Sequence, residues 1–598
     1  MASYKAPLRD MRFVLYELLQ ADRRLSAIPG WEEVTADLVD PVLDEAAKIC
    51  EEVLQPLNRV GHEEGCKFEN GVVRTPKGFK EAYDAFVQGG WGSLTCEPDD
   101  GGQGLPRTIG QMVQEIACSA NLSFATYPGL TMGAYAALHT FASDELKKLY
   151  LPKMAAGTWS GTMCLTEPHC GTDLGLMRTR AAPQPDGSYK ITGTKIFITA
   201  GEQDLTENII HLVLARITDA PKGIKGVSLF LVPKFLPRED GRPGARNGVA
   251  CGSIEHKMGL NGSATCVINL DNAVGYLVGE RNKGMRAMFR MMNEARLAVG
   301  IQGLSIGEVA YQGAVAYARD RLQGRALDKP RYPDKPADPI LVHPDVRRML
   351  LSIRSQVEGA RALSAWISLK MDEAARSKDP ELRERTEELA ALMTPIIKAF
   401  FTDMGFETAN TGVQVFGGHG YIRENGMEQY VRDARITQLY EGTNGIQALD
   451  LIGRKMPAHG GRAMRWFFHP VAEFLETHKD DAAMAEFVFP LAKSFGRLQQ
   501  ASVAIAVQGL KNPMEAAAGA TEYLRLFALV AIGFQWAQMA KIAQARLAGG
   551  TNGEDTFYKA KVNTARFYMQ RVLPQTGALL SAIAAGGKAL NAFEDEAF

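Results

Sequence analysis

The chain has 598 residues, of which 67 are Lys or Arg and 68 are Asp or Glu, so its formal net charge is -1. A charge this close to zero argues against an extended nucleic-acid-binding surface, which needs a basic excess. Hydrophobic residues make up 46% and charged residues 23%, which excludes a disordered, collagen-like or coiled-coil chain. At about 100–200 residues per domain, the length suggests roughly three to five domains.

The eight cysteines are few for this length and form no CxxC pair. We therefore expect reduced thiols in a cytoplasmic protein and no metal site. The N-terminus lacks the apolar stretch that a signal peptide needs. The strongest apolar run, Leu526 to Phe534, has nine residues, whereas a membrane-spanning helix needs about 20. We expect neither a signal peptide nor a membrane span.

A short extension, residues 1–39, precedes a segment that is predicted to be a helical domain, residues 40–160. Asp40 and Pro41 resemble a helix N-cap and a first helical position, and Pro56 is the expected end of that helix. Two further helices are predicted in this domain, over 108–123 and 131–141.

Residues 161–280 have the pattern of a small β domain. Short runs rich in Ile, Val, Thr and Phe are separated by Gly, Asn, Asp and Pro, which is typical of antiparallel strands. Four strands are predicted, over 189–199, 209–217, 226–232 and 265–270.

Helical periodicity returns in a bundle domain, residues 281–460, and continues in an additional helical domain, residues 465–598. The prolines of 328–339 forbid helix in that insertion. The order helices, strands, helices predicts an α+β fold and not the alternation of a doubly wound sheet. Helices are predicted over 285–322, 343–377, 381–410, 444–452, 481–509, 514–548 and 554–592.

The common nucleotide-binding motifs are absent, since the sequence contains no GxGxxG and no GxxxxGK[ST]. A GxSxG motif occurs at Gly303 to Gly307, but it lies inside a helical pattern, whereas a nucleophile elbow follows a strand. We interpret its small residues as helix-packing positions and not as a hydrolase site.

Three segments together resemble the acyl-CoA dehydrogenase family. They are MCLTEPHCGTD at 163–173, TGTKIFITAG at 192–201 and the long run from QVFGGHGY to YEGTNGIQ at 414–447. Their order and spacing match over roughly residues 40–455. The resemblance implies a helical N-terminal domain, a central antiparallel β domain and a C-terminal four-helix bundle, here followed by the additional helical domain, with FAD as the cofactor.

The resemblance implies a catalytic base at Glu441, in Tyr440-Glu441-Gly442-Thr443. An acyl-CoA thioester has a weakly acidic α C–H, and a carboxylate can remove that proton if an apolar pocket raises its pKa toward working pH. Read without the other motifs, Glu441 would be a solvated glutamate at a surface turn. Some family members place the base on an earlier helix, but their motif lacks Glu at this position.

The flavin ring would meet residues of the first two motifs. The family pattern places Leu165 and Thr166 at the ring edge and Thr199 near N5, and Thr172 keeps a hydroxyl where the family commonly has Ser. Phe197 stands where Trp is usual, against the flavin face. Read locally, KIFIT is a core strand, and Phe197 is expected in the core in either case.

Further residues resemble the family's contacts to the FAD pyrophosphate and adenine. Arg321 matches an Arg of the family, although Gly324 replaces the Phe that should follow it; the alternative is that Arg321 is an ordinary exposed residue at a helix end. Gln414, Gly417 and Gly418 resemble a QxxGG loop, whose glycines let the backbone approach the cofactor. Thr443 resembles a further pyrophosphate contact.

The helix predicted from Gly284 resembles the segment that binds the CoA moiety. Asn293 and Arg296 match an Asp/Arg pair of the family and, three residues apart, are expected on one helix face. Asn in place of Asp is a departure, and a solvated helix face is the alternative. Tyr440 and Gly442, on either side of Glu441, are also placed in the substrate site.

The added C-terminal helices and the insertion make the chain most similar to the 3-(methylthio)propanoyl-CoA dehydrogenase subfamily. This resemblance implies 3-(methylthio)propanoyl-CoA or a short- or medium-chain acyl-CoA as the substrate. It also implies an electron-transfer flavoprotein as the electron acceptor and a homodimer as the assembly. A medium- or long-chain acyl-CoA dehydrogenase is the alternative. Less favoured are an acyl-CoA oxidase and a DNA-binding alkylation-response flavoprotein, which would need a basic C-terminal domain.

Overall fold

The computed structural model describes residues 4–598, which separate into two compact units. The sheet unit comprises Asp44–Pro106 and Ile116–Ala298. The helical unit comprises the described part of Met1–Leu43 together with Arg107–Glu115 and Val299–Phe598. The α-helices are Leu8–Arg12, Ala21–Ser26, Ala36–Ile49, Gln55–Glu64, Phe79–Gln88, Arg107–Ala120, Leu122–Phe141, Asp144–Ala155, Gly284–Asp320, Pro344–Ala375, Pro380–Phe416, Met427–Arg435, Asn444–Asp450, Arg462–His478, Ala485–Lys511, Pro513–Ala518, Ala520–Gly549, Asp555–Phe567, Thr576–Ala585 and Lys588–Asn591.

A seven-stranded sheet forms the centre of the sheet unit. Val227–Pro233 pairs with both Thr265–Val278 and Asn208–Ile217, so five of the strands form a closed ring. Two short hairpins lie outside it, Lys67–Glu69 with Val72–Arg74 and Phe235–Pro237 with Pro243–Arg246. In their order across the sheet, the other six strands are Val249–Ile254, Thr265–Val278, Tyr189–Thr199, Arg180–Pro183, Asn208–Ile217 and Trp159–Cys164.

The predicted strand over 189–199 is confirmed without a change of boundary, and the other three are confirmed with small shifts or an extension to Val278. The expectation of antiparallel strands throughout is wrong for Asn208–Ile217, which has two parallel neighbours, Arg180–Pro183 and the edge strand. Trp159–Cys164 runs parallel to Asn208–Ile217, and Ser160 and Gly161 within it weaken the strand pattern that the prediction relied on. The sheet is therefore mixed.

The first predicted helix begins earlier and ends later than the prolines suggest. The Thr35 carbonyl already accepts from the amide of Val39, so the first turn of Ala36–Ile49 has formed before Pro41 is reached. Pro56 does not end the helical path either, because it lies in the first turn of Gln55–Glu64, where proline removes no intrahelical hydrogen bond.

The GxSxG segment lies inside helix Gly284–Asp320, as predicted. A side chain at Gly303 would come within 2.2 Å of the Phe401 carbonyl, and one at Gly405 within 2.5 Å of the Gly303 carbonyl. The two glycines therefore allow helix Pro380–Phe416 to approach closely, and the segment is a packing motif.

Two helices, Pro380–Phe416 with its continuation to Tyr421 and Ala520–Gly549, are long and apolar enough to cross a membrane by length and composition alone. In each, 83% of the most apolar window is buried inside the protein. Burial of that extent is what core helices of a folded domain show. The uninterrupted apolar run 526–534 therefore underestimates the apolar length of helix Ala520–Gly549.

A buried ionic cluster lies in the helical unit. The Arg361 side chain has no exposed surface and donates to Glu115 at 2.8 and 2.6 Å, to Glu308 at 2.6 Å and to Asp10. Burial raises the pKa of Glu115 to about 7 against the opposing effect of Arg361. A buried guanidinium is tolerated only because these carboxylates surround it.

Lys561 connects the additional C-terminal helices to the same cluster. Its fully buried ammonium bonds to Asp10 and, at 2.7 Å, to Glu358. Burial alone would raise the pKa of Asp10, but the charges of Lys561 and Arg361 lower it. The N-terminal extension, the bundle and the added helices therefore share one set of charges.

Arg361→Met should destabilise the protein by about 3–5 kcal/mol, because it leaves buried carboxylates without their counter-charge. The measurement is the urea midpoint followed by circular dichroism. Arg348→Met is the control, since Arg348 is exposed and pairs with Asp345 on the same helix, an arrangement worth less than about 1 kcal/mol. Equal losses in the two variants would contradict the role of the cluster.

Candidate functional site

Glu441 lies in a turn whose backbone is strained. Its φ is 57° and that of Gly442 is 84°, so both residues are in the left-handed region. For a residue with a side chain this conformation costs about 1–2 kcal/mol, and such strain is concentrated at functional positions. Glu441 is half-buried.

Hydrogen bonds from neighbouring residues hold this turn. The Gln447 side-chain amide donates to the carbonyls of Glu441 and Gly442, both at 3.1 Å. The Thr443 hydroxyl donates to the Gln438 carbonyl at 3.2 Å, and the Tyr440 hydroxyl to the Gln302 side chain. The strained conformation is therefore set by several contacts at once.

Helix Pro380–Phe416 supplies a second layer of support. Asp403 accepts from the side-chain amides of Gln438 and Asn444, both at 2.7 Å. Buried Lys398 donates to the Gly442 carbonyl at 3.0 Å and to Asn444 at 2.8 Å. The sequence analysis missed these residues, although a lone lysine in the apolar run Pro395 to Phe401 is a signal that could have identified the position.

In the sheet unit, the structure brings the first two motifs together. Lys195 is fully buried and donates to the Leu165 carbonyl at 3.0 Å and to the Glu167 carboxylate at 2.9 Å. The Ile196 amide donates to the Thr166 carbonyl at 2.9 Å. These bonds join the backbone of the first motif to the strand of the second.

Phe197 is not a core residue, contrary to the expectation from the sequence. It is 59% exposed and its φ is 59°, although it lies within strand Tyr189–Thr199. The reason is that the left-handed backbone at this position turns the side chain away from the alternation of a regular strand. The side chain at this position therefore contributes little to packing.

The two threonines predicted near the flavin differ in exposure. Thr199 is half-buried at the end of its strand, opposite Thr265, and Thr172 is exposed in the loop after the first motif. Leu165 is buried and Thr166 half-buried. All four predicted contacts lie in the sheet unit.

Glu167, His169 and Cys170 are the one group among residues 4–598 whose atoms could jointly hold a metal ion, all within 4.8 Å of one another. The Glu167 carboxylate is already engaged by Lys195, by the amide and hydroxyl of Thr179 and by the Arg178 amide at 2.7 Å. These donors lower the pKa of Glu167 against the effect of burial. The group serves to anchor the loop of the first motif.

Four of the predicted pyrophosphate residues lie on two segments joined by an aromatic contact in the helical unit, whereas Thr443 lies in the turn after Glu441. Tyr317 stacks on Phe416 with ring centroids 4.2 Å apart and bonds to His419 at 2.9 Å, so the end of helix Pro380–Phe416 lies beside the end of helix Gly284–Asp320. The expected loop begins only at Gly417, because Gln414 lies in the last turn of the helix. Arg321 directly follows that helix and is exposed. A side chain at Gly417 or Gly418 would meet nothing within 4 Å, which leaves the loop backbone accessible.

The predicted CoA pair is split between surface and interior. Asn293 is exposed, whereas Arg296 is buried, with its guanidinium 6.0 Å from the centre of the Phe289 ring. Three residues apart in helix Gly284–Asp320, the two positions share one helix face, but the two side chains differ in burial. Only Asn293 of the pair is open to solvent.

Four family descriptions match the chain in sequence order. The acyl-CoA dehydrogenase N-terminal domain matches residues 40–158, the middle domain 162–273 and the C-terminal domain 282–456. A fourth, described as acetyl-CoA dehydrogenase C-terminal like, matches 467–594. The chain belongs to the acyl-CoA dehydrogenase family.

Relatives match along nearly the whole length. A 3-methylmercaptopropionyl-CoA dehydrogenase of Ruegeria pomeroyi is 44% identical over 98% of this chain and 99% of its own. A butyryl-CoA dehydrogenase of Syntrophomonas wolfei is 35% identical over 100% and 99%. The broad-specificity linear acyl-CoA dehydrogenase FadE5 of Mycobacterium tuberculosis is 33% identical over 96% of each chain. The protein is an acyl-CoA dehydrogenase, an oxidoreductase.

Two solved structures share the fold. Caenorhabditis elegans ACDH-11, in complex with C11-CoA, has a TM-score of 0.75 at 18% identity and covers 95% of this chain and 91% of its own. An acyl-CoA dehydrogenase from Bacillus anthracis, complexed with FAD, has a TM-score of 0.74 at 20% identity and covers 92% and 88%. At these identities the likeness concerns the fold, including the additional C-terminal helices.

Glu441→Gly should be more stable than Glu441→Ala by about 1 kcal/mol, because glycine adopts the left-handed conformation without a Cβ clash. Urea unfolding of the two variants measures the difference. The same pair at Glu387, in the interior of helix Pro380–Phe416, is the control and should show the opposite sign, about 1 kcal/mol in favour of alanine. The same sign at both positions would contradict the strain at Glu441.

Proposed function

We propose that this dehydrogenase catalyses the FAD-dependent α,β-dehydrogenation of an acyl-CoA thioester with Glu441 as the base. The observation that carries the proposal is the strained turn at Glu441, held by Gln447 and Lys398. Left-handed backbone also occurs at Gln20 and His459, between helices, so the support of this turn by Gln447 and Lys398 is what favours a functional role.

Glu441 would take the proton from the α carbon of the bound thioester. Its neighbours Tyr440 and Gly442 belong to the same supported turn, so the carboxylate is presented from a backbone that several hydrogen bonds restrain. Restraint of this kind lowers the entropy that the enzyme loses on reaching the reactive geometry. When bound, FAD supplies the acceptor for the hydride that leaves the β carbon.

The residues of the sheet unit fit an isoalloxazine ring. Phe197 offers an exposed aromatic face, and Thr166, Thr172 and Thr199 offer hydroxyl groups, with the Leu165 backbone bonded to the strand of the second motif. Together they would provide stacking and hydrogen bonds to a flat, polar-edged ring.

The residues of the helical unit fit a diphosphate. Exposed Arg321 would supply a cationic donor, and Gln414 and Thr443 would supply polar side chains. The open backbone at Gly417 and Gly418 would let a phosphate approach closely.

For the CoA moiety we propose a contact to Asn293, which is exposed in the sheet unit. Arg296 would take a supporting position beneath the surface, where its guanidinium lies near the Phe289 ring. This arrangement assigns the direct contact to the one member of the predicted pair that a ligand can reach.

We propose 3-(methylthio)propanoyl-CoA or a short- or medium-chain fatty acyl-CoA as the substrate. The 44% identity to a dehydrogenase named for that thioether supports the first, and the relatives named for butyryl-CoA and for linear acyl-CoAs support the second. A sulfur atom replaces one CH₂ at nearly equal shape, so discrimination should be small, at most about 1–3 kcal/mol.

We further propose an electron-transfer flavoprotein as the acceptor, a homodimer as the assembly and the cytoplasm as the location. The added helix Ala520–Gly549 packs on the bundle, where the Trp536 indole donates to the Ser355 carbonyl at 2.7 Å. That bundle surface is thus covered within one chain, which supports a dimer over a larger assembly. The eight cysteines are all free thiols, as expected in a reducing compartment.

Glu441→Gln should lower kcat by at least about 10³-fold, because the amide cannot accept the proton, while flavin binding is retained. Dye reduction with acyl-CoA measures the rate, and the flavin absorbance measures the cofactor content. Glu387→Gln, on the exposed surface of helix Pro380–Phe416, is the control and should keep the parent rate. Substantial activity in Glu441→Gln would overturn the assignment.

A panel of 3-(methylthio)propanoyl-, butanoyl-, octanoyl- and palmitoyl-CoA should give the highest kcat/KM with one of the first three. Equal efficiency with the thioether and with butanoyl-CoA would show that the pocket does not discriminate in favour of the sulfur atom, and a maximum at palmitoyl-CoA would refute the proposed chain length. Peroxide release that matches turnover in air would identify an oxidase instead of a dehydrogenase.

A further inference from the structure

Lys398 is a fully buried cation beside the proposed base. It lies in helix Pro380–Phe416, and its side chain has no exposed surface. Its ammonium donates to the carbonyl of Gly442, the residue after Glu441, and to the side-chain oxygen of Asn444. Burying an ammonium group is costly unless it is hydrogen-bonded, so the contact to Gly442 is maintained in the folded protein.

The second acceptor of Lys398 is itself held in place. The Asn444 amide donates to Asp403 at 2.7 Å, to the Thr402 hydroxyl at 3.0 Å and to the Ala399 carbonyl at 3.1 Å. These three partners lie on the same helix as Lys398. The helix therefore fixes both the position of the ammonium and the residue that follows the turn.

Two donors meet at the Gly442 carbonyl, Lys398 at 3.0 Å and Gln447 at 3.1 Å. A peptide carbonyl has two lone pairs, so both bonds can form together. The orientation of the Gly442 peptide is then determined from both sides. This carbonyl belongs to the peptide between Gly442 and Thr443, and Gln447 also donates to the Glu441 carbonyl at 3.1 Å. The contacts together therefore hold the turn that presents the carboxylate.

We propose that Lys398 is a positioning residue of the dehydrogenase, which holds the Gly442 carbonyl so that the Glu441 carboxylate is presented to the substrate and remains ionised before proton transfer. The proposal rests on the proposed role of Glu441 as the base. Lys398 acts through the turn and is not assigned a contact with the substrate.

The charge of Lys398 adds a second effect to its hydrogen bonds. A nearby cation favours the ionised form of a carboxylate. Other charged groups on the elements around the turn are Asp403 on the same helix, Asp450 on helix Asn444–Asp450, paired with Arg454 at 2.6 Å, and Arg525 on helix Ala520–Gly549, paired with Glu407 at 2.9 Å. Asp403 carries the opposite charge to Lys398. Without the lysine, the negative charge of Asp403 is no longer offset, so the Glu441 carboxylate should be easier to protonate.

The test compares Lys398→Met with Lys398→Arg in the flavin-loaded enzyme. In Lys398→Met we expect kcat to fall about 10- to 100-fold, KM to stay within about threefold and the acidic limb of the kcat–pH profile to move up by about one unit. In Lys398→Arg, which keeps the charge, the acidic limb of the kcat–pH profile should lie close to that of the parent enzyme.

Lys561→Met is the matched control, since Lys561 is also a fully buried lysine of the helical unit but bonds to Asp10 and Glu358. It should lower the melting temperature and leave the pH profile in place. If Lys398→Met does not fold, Lys398→Gln, which keeps a donor for Gly442 without the charge, should show the same shift of the limb.

An unmoved acidic limb in the folded variant would overturn the role of Lys398. The proposed function is judged separately by Glu441→Gln. If that variant is inactive and the limb does not move in Lys398→Met, only the positioning role fails. If Glu441→Gln is active, the base assignment fails whatever the lysine variants show.

Discussion

The left-handed conformation of Glu441 is the constraint on which the proposed chemistry depends. A short turn does not adopt this conformation unaided, because the Cβ atom clashes with the following carbonyl. The energy is supplied by hydrogen bonds from Gln447 and Lys398 to the carbonyls of Glu441 and Gly442. The site is therefore a property of the whole bundle and not of the Tyr440–Thr443 segment.

A buried lysine that donates to a backbone carbonyl of a site motif occurs in both units. Lys195 donates to the Leu165 carbonyl in the sheet unit, and Lys398 donates to the Gly442 carbonyl in the helical unit. In each case a buried cation orients a peptide of a site motif. An ammonium group suits this task because a buried ammonium that loses a hydrogen-bond partner pays a large desolvation cost, so it keeps the partners it has.

The additional C-terminal helices are part of the structural core of the helical unit. Lys561 shares Asp10 with Arg361, so charges from the N-terminal extension, the bundle and the added helices balance one another. Helix Ala520–Gly549 contributes a largely apolar surface that is buried against the bundle. Removing these helices would expose both apolar surface and unpaired charge, which explains why they are integral to the fold.

Much of the architecture could be predicted from the sequence because it is encoded locally. The strand Tyr189–Thr199 follows from its β-branched residues, and the long helices follow from their apolar spacing. The choice of Glu441 came from the resemblance of its motif, which places the residue type but not its conformation.

Only the tertiary structure decided the exposure of Phe197, the burial of Arg296 and the support of Glu441 by Lys398. Each of these depends on partners distant in sequence or on a single backbone angle, and neither is visible in local composition. The sequence by itself predicted the long helices, four strands of the sheet and the carboxylate that is the candidate base. The packing of helix Pro380–Phe416 against the turn determined how that carboxylate is held, because its hydrogen-bond partners meet only in the folded chain.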